Sequence, residues 1–216
     1  MPFTIDMLLD YFAVYNESIW PMQWIGLALG LLTLVPLFRP GTATDRVVTA
    51  ILALLWLWVG LIFWRRAAVD MAMLYAPTVL FAVQGALFLY ALARGLMAYG
   101  PENRLYGGFG LIFIAYALAG YPLIGLLVGH LYPHTALSPL FPCPATILTF
   151  SVFLLARRVP WYLLLIPAFW AISGILWFSL GMAEDAGLVF AGVVGLVMLV
   201  ARDRASRRAV TVPSRQ

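Results

Sequence analysis

The sequence contains no lysine, and all thirteen of its strongly basic residues are arginine. Chemistry that needs a lysine amine, such as a Schiff base with a carbonyl ligand, is therefore excluded. There is one cysteine, Cys143, so no disulfide can form within the chain and nothing follows about redox compartment. Histidine is nearly as scarce, with only His130 and His134. Charged residues make up 10% of the chain, against about 25% in soluble domains, which excludes an ordinary soluble globule. No carboxylate falls in the middle of an apolar run, which argues against a carrier driven by a buried acid relay. The N-terminal residues Met1 to Asp10 lack a basic stretch and a small-residue cleavage site. No cleaved signal peptide is expected, and insertion falls to the first span.

The chain is rich in apolar length. Hydrophobic residues make up 64% of it and mean hydropathy is +0.97. Several runs approach the roughly 20 residues that cross a bilayer. The pattern predicts an all-α membrane protein, a bundle of seven transmembrane helices in one integral domain over residues 1–216. The expected spans are 21–38, 47–63, 77–96, 105–131, 144–156, 160–180 and 186–201. Before them, residues 4–17 read as an amphipathic surface helix. Ile5, Leu8, Leu9 and Phe12 share one face, Asp6, Asp10 and Glu17 the other, and Thr4 is the N-cap. Thr44 or Asp45 is expected to cap the second span. Kinks are expected at Gly120-Tyr121-Pro122 and at Pro167. The polar segment 202–216 reads as a tail, disordered at its end.

Seven spans put the termini on opposite sides. With the N-terminus outside, the inner segments hold Arg39, Arg46, Arg94, Arg104, Arg157, Arg158 and the arginines of the tail. Only Arg65 and Arg66 then violate the rule that positive charge collects in the cytoplasm, so the N-out, C-in orientation is expected. The basic tail is either this topology signal alone or a contact for anionic lipid. The expected partners are the bilayer and a small solute or metal ion. No nucleic-acid partner is expected, and oligomerisation is left open.

The fifth span is the unusual one. Pro144 to Ala156 is thirteen residues, roughly 20 Å of helix against about 30 Å of hydrocarbon. Arg157 and Arg158 hold its inner end, so its start should lie at membrane depth. The preceding Ser138-Pro139-Leu140-Phe141-Pro142 cannot be regular helix. A re-entrant loop is therefore expected to fold back into the bundle and hand over to a half-helix, with Cys143 as N-cap and Pro144 first in the helix.

The candidate site follows from that geometry. A helix N-terminus carries free N–H groups and partial positive charge. Cys143 with His130 and His134 makes a candidate ligand set for a soft ion, Cu, Zn or Hg, although Pro133 interrupts the helical spacing of the two histidines. Thr146 and Thr149 add hydroxyls on the first turns. Asn16 and Glu17 lie on the same side of the membrane, and these four are the candidate substrate-binding residues. The competing reading makes Cys143 a small buried residue and the histidines interfacial polar tips. Gln84, Tyr90, Tyr116, Tyr121, Ser151 and Ser173 fall within spans, as pathway residues or as hydrogen bonds between helices. Glu184 and Asp185 read as acids at a helix start, favoured by the helix dipole.

Cys143-Pro144 resembles the C-P-x element of metal-pumping P-type ATPases over those two residues only. Nothing here supplies their phosphorylation domain. A broader resemblance rests on Tyr15, Asn16, Trp20 and Pro21, in a Y-N-x-x-x-W-P element, and on Pro142, Cys143, Pro144 and Thr146, in P-C-P-x-T. Over most of its length the chain resembles an uncharacterised family of small bacterial integral membrane proteins, a domain of unknown function. The resemblance implies a multi-pass protein of the bacterial inner membrane and no particular activity. Three functions remain in view: transport or binding of a small solute or metal ion at an outward-facing Cys143 site, a membrane-embedded thiol enzyme with a histidine base, and a non-catalytic sensor or scaffold.

Overall fold

The computed structural model describes residues 4–70, 74–100 and 103–211. It is built almost entirely of helix. Helix α1 (Ile5–Ser18) starts at Thr4, whose hydroxyl accepts the Met7 N–H at 3.4 Å. It turns by 91° into α2 (Met22–Leu32) and a short α3 (Val35–Phe38). Helix α4 (Thr42–Trp58) passes through a π-helical stretch (Val59–Trp64) into α5 (Arg65–Asp70). Helix α6 (Tyr75–Arg94) returns. Helix α7 (Arg104–Ala115) runs through a second π-helical stretch (Tyr116–Gly120) into α8 (Tyr121–Leu127). Helices α9 (Pro142–Leu154), α10 (Leu165–Ser179, preceded by a 3-10 turn) and α11 (Asp185–Thr211) complete the chain.

Among the described residues, five helices are long and apolar enough to cross a membrane: Thr42–Ala67, Tyr75–Arg94, Arg104–Leu127, Trp161–Ser179 and Asp185–Ala205. The bent pair α1 with α2–α3 makes a sixth if counted as one span. This is the helix content of a membrane protein, because in lipid each backbone polar group must be satisfied within its own segment.

Helix α9 is the axis of the bundle. All thirteen of its residues are buried, and α4, α7, α10 and α11 pack around it. A helix apolar on every side belongs in such a position. Its few hydroxyls turn inward on the helix itself: Thr146, Thr149 and Ser151 donate to the carbonyls of Pro142, Ala145 and Ile147 at 2.8 Å. Beyond its C-terminal end, β2 (Ala156–Arg158) pairs antiparallel with β1 (Ala98–Tyr99), forming a clip that apolar patterning did not anticipate. Arg202 donates at 3.3 Å to the carbonyl of Phe153, an acceptor the end of α9 leaves open, and at 2.5 Å to that of Ala156 in β2. Burial pushes the phenol of Tyr99, within this clip, well above its ordinary value, with the Thr49 hydroxyl acting the other way.

Several expected boundaries shift. Helix α4 begins at Thr42 with Gly41 as N-cap, and the Asp45 carboxylate instead accepts the Tyr99 N–H at 2.9 Å. The first span is broken between Leu32 and Val35. The winding changes at Leu164–Leu165, so Pro167 sits in the first turn of α10, where an N–H is not needed, and its side chain is buried. A π-helical stretch, Tyr116–Gly120, precedes the Gly120-Tyr121-Pro122 position where a kink was expected. The polar segment after Ala201 continues α11 as helix to Thr211, and residues 212–216 lie outside the described residues.

Candidate functional site

Helix α9 starts two residues earlier than the sequence suggested, at Pro142 rather than Pro144. Phe141 is its N-cap, in extended conformation, and Pro142, Cys143 and Pro144 form its first turn. Both prolines thus occupy positions whose N–H groups have no helical partner to lose. Cys143 stands between them, buried.

The segment before it enters the bundle. Residues Ser138, Pro139 and Leu140 pack against Gly26 and Gly30, one turn apart on α2. A Cβ on Gly26 would lie 2.7 Å from the Leu140 side chain, so the loop reaches this depth only because α2 is bare there. From the other side α1 ties it down. Asn16 Nδ2 donates to the carbonyls of Pro133 and Thr135 at 2.6 and 2.8 Å, and the Tyr15 hydroxyl donates to Leu140 O at 3.0 Å. Gln23 Nε2 donates in turn to Asn16 O at 2.6 Å, and Trp58 Nε1 to the Tyr15 hydroxyl at 2.7 Å. Tyr11 donates to the carbonyl of Phe63. Helix α1 and the 133–141 loop together form a roof over the end of α9.

Beneath the roof, Cys143 Sγ donates to Asp185 Oδ2 at 3.5 Å. The Tyr121 hydroxyl donates to Asp185 Oδ1 at 2.6 Å. A cavity of about 20 Å³ opens beside them, room for about one water. Phe12, Phe63, Trp64, Phe141, Trp170 and Trp177 are among the residues of its wall. Trp170 lines this cavity together with Cys143. The indole N–H of Trp64 is buried with no hydrogen-bond partner. Trp64 closes one π-helical stretch and Tyr121 follows the other; such irregular winding recurs at functional sites because it re-aims side chains.

Next to Asp185, the Glu184 carboxylate is fully buried and 3.0 Å from His130 Nδ1. The Tyr116 hydroxyl donates to the Glu184 carbonyl at 2.6 Å. Glu184 Oε2 and Thr135 Oγ1 are buried without partners. Both Glu184 and Asp185 sit at the start of α11 as expected, but neither faces solvent: their exposures are 0% and 1%. Their place at the helix start is the expected one; their burial comes from α1 and the loop, which cover this end of the bundle. The only sequence signal was two adjacent acids between two long apolar runs.

The other candidate residues disperse. His134 is half exposed and meets the exposed Asp10 at 3.6 Å. Thr146 back-bonds within α9, and Thr149 also accepts the Trp56 indole N–H at 2.9 Å. Asn16 is buried as the tether of the loop, and Glu17 is exposed. Among the described residues no group of three or more His, Cys, Asp or Glu side chains is arranged to hold a metal ion. The set Cys143, His130 and His134 is therefore not gathered: one histidine is engaged by Glu184, the other by Asp10, and the thiol by Asp185.

No curated protein and no solved structure matches the chain. The profile of a family of unknown function (DUF6064) matches residues 5–210. The match takes in nearly the whole bundle, from α1 through almost all of α11, and the chain belongs to that family.

Proposed function

We propose that the chain is a small-solute transport protein of the bacterial inner membrane, with its binding site in the cavity at the N-terminal end of α9. The carrying observation is the Cys143–Asp185–Tyr121 chain, a polar constellation enclosed in an apolar bundle. Ionisable groups are expensive at membrane depth, and where they occur they mark substrate or proton pathways. The pair His130–Glu184 leads from the partly exposed rim to this site. The absence of a carboxylate in mid-span thus loses its force, since Glu184 and Asp185 are buried at a helix start. Counting α2–α3 and α9 as crossings gives seven spans, with α1 and the roof outside and the arginine-rich clip inside. The metal-ion form of the reading lacks a gathered ligand set.

The hydrogen bond between Cys143 and Asp185 also favours a second reading, a membrane-embedded enzyme in which Asp185 serves as base to the thiol. The histidine base expected from sequence is engaged elsewhere, since His130 meets Glu184.

Cys143 is the only thiol, so the wild-type chain reports on its own site. In oriented vesicles a membrane-impermeant maleimide is expected to label Cys143 slowly from the α1 side. Bulky reagents should be excluded while small ones react. A thiol that stays inert from both sides, and reacts only after denaturation, would overturn the transport reading in favour of a closed scaffold.

A further inference from the structure

The site holds two buried carboxylates and one base to balance them. Glu184 and Asp185 lie side by side at the start of α11, at 0% and 1% exposure. Among the described residues, His130 is the sole ion-pair partner of either one. The other titratable groups that face them are uncharged donors. They are the Tyr116 phenol from the second π-helical stretch, the Tyr121 phenol from α8 and the Cys143 thiol from α9. From α1 and α10 come only Leu8, Phe12, Trp170 and Trp177, which carry no charge. With His130 as imidazolium, the cluster therefore keeps one net negative charge. Like charges buried side by side oppose each other, and a proton taken up by one of the two relieves both.

The hydrogen bonds show where such a proton fits. Asp185 uses both oxygens, one for Tyr121 and one for Cys143. Glu184 uses only Oε1, which meets His130 Nδ1 at 3.0 Å. Its Oε2 is buried with no partner, and so is Thr135 Oγ1. Both side chains press on α8 at Gly125, where a Cβ would lie 3.0 Å from Thr135 Oγ1 and 3.1 Å from Glu184 Oε1. Neither unpaired atom is open to water, and no ligand set for a metal ion is gathered among the described residues. A proton needs no volume. It also turns an acceptor-only carboxylate into a group that can donate.

His130 supplies the route. Its ring is 11% exposed, at the rim, while its partner Glu184 is fully enclosed. Histidine is the side chain that ordinarily exchanges protons near neutral pH. In the transfer the His130 Nδ1–H bond breaks and a Glu184 Oε1–H bond forms. Imidazolium and carboxylate become neutral imidazole and carboxylic acid, and a proton from the water at the rim restores the imidazolium.

We propose that Glu184 and Asp185 together bind one proton, handed in by His130 from the rim, and that this proton is the ion coupled to solute binding at Cys143 and Asp185. The inference rests on the transport reading and adds its driving ion. Loading the pair removes a negative charge where the solute binds, so proton and solute each change the affinity for the other by the same factor. The two carboxylates titrate as a unit.

The test is infrared spectroscopy of the full chain in liposomes, taken as a difference between about pH 5 and about pH 8, above the ordinary range of exposed carboxylates. The expected result is the C=O band of a protonated carboxylic acid that fades as pH rises, shifts in heavy water, and is lost when Glu184→Gln and Asp185→Asn are combined. No such band in the wild-type chain, a result that needs no variant, would overturn the proposal. So would a band that survives in the double variant. After a pH jump, His130→Gln should slow the band's appearance about a hundredfold, the usual worth of a positioned proton donor. An unchanged rate would remove His130 from the route. Methyl methanethiosulfonate, which adds a small methylthio group to Cys143, should move the midpoint of the band by at least about 0.7 pH unit, the fivefold lower end of usual couplings. An unmoved midpoint would overturn the coupling. Maleimide labelling of Cys143 in parallel separates the two readings. If the thiol reacts from the α1 side but no band appears, the proton falls and the transport reading stands. If the band appears while the thiol is inert from both sides, transport and coupling fall and the proton site stands alone.

Discussion

The thiol of Cys143 and the hydroxyl of Tyr121 meet on opposite oxygens of one carboxylate, that of Asp185, at 3.5 and 2.6 Å. The carboxylate lies 42 and 64 positions from its partners in sequence, so the start of α11 holds together the starts of α8 and α9. The three form one unit, and disturbing one member changes what the others experience.

That coupling is measurable. Tyr121→Phe should cost about 1.5–3 kcal/mol, the worth of a hydrogen bond to a charged group. Asp185→Asn should cost a similar amount. The double variant should fall short of the sum by at least about 0.5 kcal/mol, the smallest coupling usual for residues in one network. Unfolding of the purified protein in mixed micelles measures all three. Strict additivity would show that the phenol and the carboxylate act independently.

The roof should govern access to the thiol. Asn16→Ala removes the donor to two loop carbonyls and to nothing below them. Each buried group left unpaired costs about 1–3 kcal/mol. The expected result is a less stable chain whose Cys143 alkylates faster with N-ethylmaleimide, while Glu17→Ala, at an exposed position on the same helix, leaves the rate unchanged. Equal rates in all three proteins would show that the thiol is reached by another path.

Much of this fold is legible in the sequence, and the reason is locality. Apolar runs, arginines at their ends and the Thr4 cap are each properties of a few neighbouring residues. The short helix α9 and the loop before it follow from proline positions and from a length too small for the bilayer. The site is legible only in part. Cys143 stands out because its prolines do. Glu184 and Asp185 do not, because what buries them is α1 and the 133–141 loop, brought over them by contacts such as Asn16 to Pro133, 117 positions apart. Nor does local sequence mark the Trp64–Trp170 wall, since tryptophan in a membrane helix reads equally well as an interfacial anchor. The clip of β1 and β2 is two and three residues long, too short for any periodic signal.

The two histidines, equivalent candidates by sequence, should behave differently. His134→Ala disturbs a half-exposed contact with an exposed acid, and a change within about 0.5 kcal/mol is expected. His130→Ala leaves the Glu184 carboxylate buried with neither oxygen paired, and a loss of about 1–3 kcal/mol is expected. Thermal melting of both variants compares them directly. Equal effects would remove His130 from the site.

The closest packing at the site puts Gly187 against Tyr116. A Cβ at position 187 would lie 2.1 Å from the ring of Tyr116, closer than any real contact, and the ring cannot yield without moving its hydroxyl from the Glu184 carbonyl it holds at 2.6 Å. Gly187→Ala should therefore destabilise by about 1–3 kcal/mol, the usual cost of an overpacked interior. Tyr116→Leu opens the space that Cβ needs. If the clash is the cause, adding Gly187→Ala to the Tyr116→Leu background should cost little, although the same change in the wild-type chain is damaging. Equal penalties in the two backgrounds would place the effect in the helix itself, where alanine is the better helix former, and would contradict the geometry of this contact.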